Sequence, residues 1–282
     1  SAAIGIPDWI EKEQGDIEDA TFVEIGTGRM ISLPIGLWLC GAGQTVTVDL
    51  NNYLSGALVQ ESCKFVRENK ETVVQLFGNR ADSPLFRERL SRLVAFNGTL
   101  TRLLDLIAVD YKPFADAASL PLPNASINYH VSYAVLEHIP ADVVLRILLE
   151  ARRLLAPSGL LIHTIDPSDH FSHDDKSITA INFLQFSEEE WNHLTGNKFN
   201  YHNRLRYPQY LSLLEQAGVQ LLKEERTVDK ESLELLKQGF PIDEYFSSHS
   251  FEELAITSVN LMGQFVADDF KGSEPALRHK TT

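Results

Sequence analysis

The stretch from Thr21 to Asp49 constrains the fold of this chain more than any other. It opens with a short apolar run, which predicts a buried strand, and the run stops at Gly26-Thr27-Gly28. An apolar helical segment and a second, β-branched run follow, and the second run ends on the acid. Glycines directly after a strand let a ligand approach bare backbone, and an acid at the tip of the next strand can bind both hydroxyls of a ribose. The unit therefore predicts a ligand that carries a nucleoside.

The glycine turn differs from a dinucleotide-binding fingerprint. That fingerprint, G-x-G-x-x-G, needs a third glycine for close packing of the helix on the strand, and Ile31 occupies this position. An acid, Glu24, stands just before the glycines instead. It suits a cationic ligand and would repel a pyrophosphate. The alternative is a plain strand-to-helix turn without a ligand, because short glycine motifs are permissive.

Two stretches resemble one known family. The segment from Glu24 to Gly28 resembles the first motif of class I S-adenosylmethionine (SAM)-dependent methyltransferases, acid-x-Gly-x-Gly-x-Gly, and departs from it at the last glycine, where Met30 stands. The sequence ADAASLPLPNASINYHVSYAVLEHIP, residues 115–140, is similar to the second half of the type 11 methyltransferase domain. A helix, an L-x-P-x-G turn and an apolar strand follow as in that family. The resemblance covers about residues 20–168.

The resemblance implies a Rossmann-like α/β fold, with a seven-stranded, mostly parallel sheet, helices on both faces and helical insertions. SAM would lie across the tips of the first four strands, with its adenine near an acid–alanine pair at the end of the third. The implied cofactor-binding residues are Glu24, Gly26, Thr27, Gly28, Asp49, Leu50, Asp116, Ala117, Ser132, Tyr133 and His138. The family implies that His138 shapes the cofactor pocket rather than acting as a base.

The richest polar cluster, Asp166 to Asp175, directly follows the predicted fifth strand. It lies on the side of the sheet where the cofactor is expected. His170 or His173 could act there as a general base that removes a hydroxyl proton. A cation site that adds Asp174 has no strong metal spacing, and a polar loop with a helix cap is a third interpretation. We predict that His170 and His173 are catalytic and that no metal is bound.

Residues from about 169 to 210 are predicted to form a lid or substrate segment. Within it, the run from Asn200 to Tyr207 has the composition of a surface for carbohydrates or other small polar molecules. The candidate substrate-binding residues are Tyr201, His202 and Arg204. Alternatively, Arg204 and Arg206 pair with the acidic stretch Glu188–Glu190.

We predict one domain with appendages. Residues 1–20 are an acidic lead-in in which Trp9 and Ile10 could dock on the body, residues 21–268 form the methyltransferase domain, and residues 269–282 form a mobile tail. A minimal crossover needs only one helix, so the helices predicted over about 53–107 are an insertion that could cover a substrate pocket. Extra scaffold, or a contact between copies in a homo-oligomer, explains them equally well.

Composition disfavours several classes of partner. With 25 Lys and Arg against 39 Asp and Glu, the net charge is −14, which opposes long-range attraction to nucleic acid and anionic membranes. The sequence has no apolar run of about 18 residues to predict a membrane span. It opens without the pattern of a signal peptide, and its two cysteines fit free thiols in a reducing compartment. We expect a cytoplasmic protein.

These features predict a SAM-dependent methyltransferase for a small polar acceptor, preferably at a hydroxyl oxygen, with a sugar or glycan precursor suggested by the Tyr/His/Arg run. Methylation of nitrogen or carbon, on another small molecule or a protein, is one alternative. A catalytically inert SAM-binding interaction module is another. A nicotinamide-dependent enzyme is disfavoured by Ile31 and Glu24.

Overall fold

The computed structural model describes residues 2–13, 15–195 and 201–266, so the predicted tail lies outside the described residues. A twisted sheet forms its centre. Its strands are β1 (Thr21–Ile25), β2 (Gln44–Asp49), β3 (Val109–Pro113), β4 (Ile127–Tyr133), β5 (Leu155–Ile165), β6 (Val219–Val228) and β7 (Ile256–Phe265). The order across the sheet is β3-β2-β1-β4-β5-β7-β6. β7 is antiparallel to both neighbours and the other pairs are parallel, which confirms the predicted fold class.

Helices lie on both faces of this sheet. The described helices are α1 (Ala2–Lys12), α2 (Ser32–Leu39), α3 (Gly56–Glu68), α4 (Lys70–Phe77), α5 (Pro84–Ala95), α6 (Leu100–Leu106), α7 (Ala141–Leu154), α8 (Phe171–Asp174), α9 (Glu188–Thr195), α10 (Tyr207–Gln216), α11 (Lys230–Lys237) and α12 (Phe251–Leu254). Successive strand residues point to opposite faces. Phe22 therefore packs with Trp9 and Leu37 under α1 and α2, whereas Val23 packs with Ile147 under α7.

The predicted insertion contains α3 to α6, which pack on α2 and form an apolar cluster of their own. Phe86 and Leu93 are buried in this cluster together with Trp38 of α2. Arg89 fastens α5 to the end of α2, because its guanidinium donates to the carbonyl of Ala42 at 2.9 Å. Two of these helices, α3 and α4, follow one another directly and are separated only by Asn69. These helices extend the core at the β3 edge of the sheet.

β5 begins earlier than the sequence predicts. The L-x-P-x-G stretch, expected as a separate turn after α7, is already extended and belongs to the strand. Leu155 pairs with Ile127 of β4, and the register then shifts before Leu160 pairs with Tyr129. The irregular pairing accommodates Pro157, which has no N–H to donate to a neighbouring strand. None of the described helices combines the length and the apolar character that a bilayer crossing requires.

Candidate active site

A cavity of about 890 Å³, here called the strand-tip cavity, opens at the carboxyl ends of β1, β2 and β4. Parallel strands place the loops that follow them at one edge of the sheet. Among the predicted cofactor-binding residues, those lining the cavity are Gly26, Thr27, Gly28, Asp49, Leu50, Asp116, Ala117, Tyr133 and His138. The structure therefore brings together all of the predicted set except Glu24 and Ser132.

The glycine loop has the shape that the sequence predicts for close approach of a ligand. Gly26 and Gly28 have φ angles of +78° and +67°, which side chains rarely adopt. A Cβ atom on Gly26 would lie 2.5 Å from the Val135 side chain, so that glycine is needed for packing. A Cβ on Gly28 would meet nothing within 4 Å, because it would project into open space. This open space is where a ligand can meet bare backbone.

Asp49 lies at the tip of β2, and we call this acid and the glycine loop from Gly26 to Gly28 the cradle. Its carboxylate accepts the N–H of Gly28 at 3.1 Å. Burial raises the pKa of Asp49 to about 6, and the hydrogen bond from Gly28 opposes the rise. The group is therefore mainly ionised at pH 7, when it offers only acceptor atoms. Such a carboxylate can take the two hydroxyls of a ribose.

Glu24 lies beneath the cradle and does not reach the cavity, contrary to the prediction. Its buried carboxylate accepts the Thr47 hydroxyl at 2.5 Å, and the Thr47 oxygen lies 2.5 Å from the Thr27 hydroxyl. Burial raises the pKa of Glu24 to about 8. The chain of hydrogen bonds supports the glycine loop from below. Ser132 is also buried, with its hydroxyl 2.7 Å from Nδ1 of His163 in the core.

We expect Glu24→Gln to change how stability depends on pH. A buried acid whose pKa is raised from 4.5 to about 8 contributes stability below pH 4.5 and loses it as pH rises through 8. The glutamine variant lacks this loss. The free energy of unfolding of the variant, relative to that of the wild type, should therefore rise by about 4 kcal/mol between pH 4.5 and pH 9. Urea unfolding across this pH range measures the difference, with the exposed Glu61→Gln as a control. A constant difference would contradict the assignment.

The acid–alanine pair lies beyond the end of β3 rather than at it. β3 ends at Pro113, and Asp116 caps a turn by accepting the N–H of Ala118 at 2.9 Å. Between them, Phe114 has a φ of +61° and leaves 74% of its surface exposed next to the cavity wall. The adenine contacts of Asp116 and Ala117 stay a prediction.

Four histidines meet at one end of the strand-tip cavity. We call His138, His170, His173 and His202 the histidine group. His138 lines the cavity, and its ring centre is 4.8 Å from that of His170. The His170 ring lies 4.9 Å from that of His173 and 4.9 Å from that of His202. The structure therefore places His170 beside a residue of the cavity wall, and His173 beyond it, against His170.

Asp166 holds two of these rings. Its carboxylate lies 3.8 Å from Nε2 of His170 and 3.5 Å from Nε2 of His173. The carboxylate is fixed in turn by Ser168, whose N–H and hydroxyl donate to it at 3.0 and 2.5 Å. Burial, together with the neighbouring His138, lowers the pKa of His170 below its usual value. His170 is therefore mainly neutral at pH 7.

Backbone carbonyls fix which nitrogen carries the proton in two rings of the histidine group. Nδ1 of His138 lies 3.0 Å from the carbonyl oxygen of Tyr201, and Nε2 of His170 lies 3.3 Å from that of Asp166. Because a carbonyl only accepts, each of these nitrogens carries the hydrogen. Nε2 of His138 and Nδ1 of His170 consequently keep their lone pairs.

Glu137 is a buried carboxylate that the sequence analysis did not single out. One oxygen accepts the N–H of Asp166 at 3.3 Å, and the other has no hydrogen-bond partner within the described structure. Burial raises the pKa of Glu137 to about 8. Only the neighbouring His138 could have drawn attention to Glu137 in the sequence. The loop after β5, which surrounds Glu137 in the fold, lies far from it along the chain.

The three predicted substrate-binding residues do not all lie at the strand-tip cavity. Tyr201 lines the strand-tip cavity, and His202 is buried within the histidine group. Arg204 points away, because its guanidinium donates to the carbonyl of Phe186 at 2.6 Å and lies over the rings of Trp191 and Phe246. This placement corrects the substrate-binding prediction for Arg204.

The alternative salt bridges to the acidic stretch of α9 are not found either. The ion pairs of the described residues join neither Arg204 nor Arg206 to Glu188–Glu190. Arg206 is fully buried, and its guanidinium donates to the carbonyl of Pro167 at 2.5 Å. Both arginines therefore tie this segment to the body. Asn200, the first residue of the predicted run, lies outside the described residues.

Arg204→Ala is expected to act on stability rather than on binding. The variant removes a charged donor from two buried carbonyls and empties space among aromatic rings. We expect the free energy of unfolding to fall by about 3 kcal/mol, while the Kd for SAM changes less than about threefold. Urea unfolding and calorimetry check this, with the exposed Arg146→Ala as the matched control. An unchanged stability with a raised acceptor KM would restore the substrate-binding role.

Comparisons with known proteins found one family model and several similar solved structures. A family model described as a methyltransferase domain matches residues 102–163. No curated protein matches the sequence. Magnesium protoporphyrin IX methyltransferase from Synechocystis, with bound SAH, is 11% identical over 94% of this chain and 81% of its own, with a TM-score of 0.49. Geranyl diphosphate C-methyltransferase from Streptomyces coelicolor is 12% identical over 93% of this chain and 78% of its own, with a TM-score of 0.49. A SAM-dependent methyltransferase from Methanosarcina mazei is 15% identical over 89% of this chain and 94% of its own, with a TM-score of 0.45. At identities this low, they say nothing about what this chain methylates.

The chain's own features agree with the fold that the sequence resemblance implies. The sheet has the predicted order with an antiparallel β7, and its glycine loop leaves open space beside the acid of β2. The segment that matches the family model, residues 102–163, runs from α6 through β3, β4 and α7 into β5. Residues 102–163 thus match a methyltransferase domain, within the fold that the resemblance to class I SAM-dependent methyltransferases predicts.

Proposed function

We propose that this enzyme moves the methyl group of SAM to a hydroxyl oxygen of a small polar acceptor, with sugars and glycan precursors as the first class to test. One observation carries the proposal. The histidine group borders the strand-tip cavity, with His138 in its wall and His170 next to it. Nδ1 of His170 has a lone pair that can accept a proton, since Nε2 faces a carbonyl.

The residues have the following roles in the proposal. The backbone of Gly26 to Gly28 and the carboxylate of Asp49 hold the amino-acid and ribose parts of SAM, and Asp116 with Ala117 meets the adenine. Tyr133 and His138 flank the reacting end. Tyr201 contacts the acceptor from the same cavity wall, and His202 supports His170 from behind.

The chemistry is a balanced displacement. His170 or His173 takes the proton of the acceptor hydroxyl, the oxygen forms a bond to the methyl carbon, and the carbon–sulfur bond breaks with its electron pair left on sulfur. The products are a methyl ether and S-adenosylhomocysteine. Alignment of the three reacting atoms supplies most of the acceleration, and a positioned base adds roughly 10²–10⁴-fold. Asp166 orients the base and stabilises its charged form.

The polar character of the site supports a polar acceptor. Behind His138 of the cavity wall lie His170 and His173, the latter next to the Asp166 carboxylate and the Ser168 hydroxyl. The net charge of −14 disfavours highly anionic acceptors at long range. A flat Tyr201 ring and imidazole donors suit hydroxyl-bearing rings.

The test is a survey of pooled acceptors with methyl-labelled SAM, covering sugars, phenols, lipids and amines. We expect label in a methyl ether, and we expect the His170→Ala, His173→Ala double variant to lose turnover while it still binds SAM. Label found on nitrogen or carbon alone would replace hydroxyl transfer with the alternative chemistry. Binding of SAM without transfer to any pool would indicate an inert SAM-binding module.

A further inference from the structure

We propose that Glu137, His138 and His170 bind a first-row divalent transition-metal cation in the wall of the strand-tip cavity. One carboxylate oxygen of Glu137 and one ring nitrogen from each histidine lie within 4.8 Å of one another. The three residues come from two segments, the turn after β4 and the loop after β5. Two imidazoles and one carboxylate form a ligand set that proteins use for such cations.

In each of the three residues, one polar side-chain atom forms a hydrogen bond with the backbone, and the other remains available for a cation. Nδ1 of His138 donates to the carbonyl of Tyr201, and Nε2 of His170 lies at the carbonyl of Asp166. One oxygen of Glu137 accepts the N–H of Asp166. Hydrogen bonds of this kind orient metal ligands and set the histidine tautomer. They leave a lone pair on Nε2 of His138, on Nδ1 of His170 and on the second oxygen of Glu137.

A buried atom without a partner at the same place independently indicates a missing ligand. Glu137 is fully buried, and its Oε2 atom has no hydrogen-bond partner among the described residues. Buried polar atoms are almost always satisfied by protein, water or an ion. The unpartnered oxygen of Glu137, which belongs to the ligand set itself, therefore points to a bound group.

The charges around the ligand set favour a cation. Glu137 contributes a carboxylate once the cation displaces its proton, and the carboxylate of Asp166 lies 3.8 Å from Nε2 of His170. The buried guanidinium of Arg206 opposes them with one positive charge. Mg²⁺ and Ca²⁺ prefer oxygen donors, whereas imidazole suits Zn²⁺, Co²⁺ and similar ions. The donor atoms, now within 4.8 Å of one another, must approach by up to about 1.4 Å, because ligands bonded at about 2.1 Å in a tetrahedral site are about 3.4 Å apart.

The inference deepens the proposed function and rests on it for the role of the cation. Three protein ligands leave a coordination position open to an acceptor hydroxyl. Binding there would lower the pKa of the hydroxyl. His173 is outside the ligand set and keeps its place beside Asp166, 3.5 Å away. It then takes the proton, while His170 serves as a ligand.

Cobalt binding tests the site without any acceptor. The untagged full chain is freed of metal with EDTA and titrated with Co²⁺, whose visible absorption reports nitrogen and oxygen ligation. We expect one equivalent to bind, Zn²⁺ to displace it, and Mg²⁺ to have no effect. His170→Ala and Glu137→Gln should each weaken Co²⁺ binding at least about tenfold, while His193→Ala, on the exposed face of α9, should not. SAM binding by each variant shows that it is folded.

The outcomes separate the two proposals. Absence of a stoichiometric Co²⁺ band, or equal binding by the His170→Ala and His193→Ala variants, overturns the metal site whatever the acceptor survey shows. Co²⁺ binding without methyl transfer to any acceptor supports the site and refutes the proposed function. If methyl transfer in EDTA runs at the rate of the Zn²⁺-loaded enzyme, the cation has no part in activating the acceptor.

Discussion

Replacing His170 with alanine is expected to lower kcat by about 10²–10⁴-fold, with the Kd for SAM changed less than about threefold. His170 lies between His138 of the cavity wall and the carboxylate of Asp166. In the proposed function it acts on the acceptor oxygen, as a base or as a ligand, whereas the glycine loop and Asp49 hold SAM. Loss of its ring therefore affects the chemical step rather than donor binding. Single-turnover kinetics with saturating SAM measure the effect.

The control is His193→Ala, which makes the same substitution on an exposed position of α9. It should retain wild-type kcat. A His170→Ala variant that turns over at the wild-type rate would remove this residue from the reaction. A variant with normal kcat and weakened SAM binding would instead make it part of the donor site.

Replacing Asp49 with alanine is expected to weaken SAM binding by about 100-fold or more. Hydrogen bonds to a charged group contribute about 1.5–3 kcal/mol each, and each 1.4 kcal/mol is about tenfold in Kd. A carboxylate that takes two ribose hydroxyls would lose both. The change also frees the N–H of Gly28, which Asp49 holds at 3.1 Å. Titration calorimetry with SAM gives the affinity.

Loss of the ribose hydrogen bonds and disturbance of the glycine loop would both weaken binding, and a ribose-specific measurement separates them. The wild type should bind S-adenosylhomocysteine more tightly than its 2′-deoxy form, and Asp49→Ala should lose that preference. Retention of the preference would show that the acid only holds the glycine loop. Asp105→Ala, which changes an exposed acid on α6, provides the control for general charge effects.

The donor side of the site was predictable because its signals are local. A strand, a glycine turn and an acid at the next strand tip lie within Thr21 to Asp49, and parallel pairing brings the turn and the acid together. Glu24 and Ser132 were predicted to contact the cofactor but do not line the cavity, and strand geometry explains the difference. Each precedes the last residue of its strand, so its side chain points into a face of the sheet rather than over the tip.

The acceptor side was only partly predictable because it is assembled from distant segments. The histidine group joins the turn after β4, the loop after β5 and the segment before α10. The sequence singled out each histidine but could not show that they meet, nor that Glu137 lies beneath them. Arg204 had the composition of a substrate ligand, and its aromatic surroundings come from Trp191 and Phe246 elsewhere in the chain.

The division of the strand-tip cavity has a consequence for evolution and engineering. In the proposed function the loops after β1, β2 and β3 hold the donor, whereas the groups that would face the acceptor belong to the chain after β4. Exchange of the stretch 166–206 could therefore redirect the enzyme to new acceptors while its donor stays the same. Such a chimera must retain the backbone path at position 201, because the carbonyl there orients His138 and this contact joins the two halves.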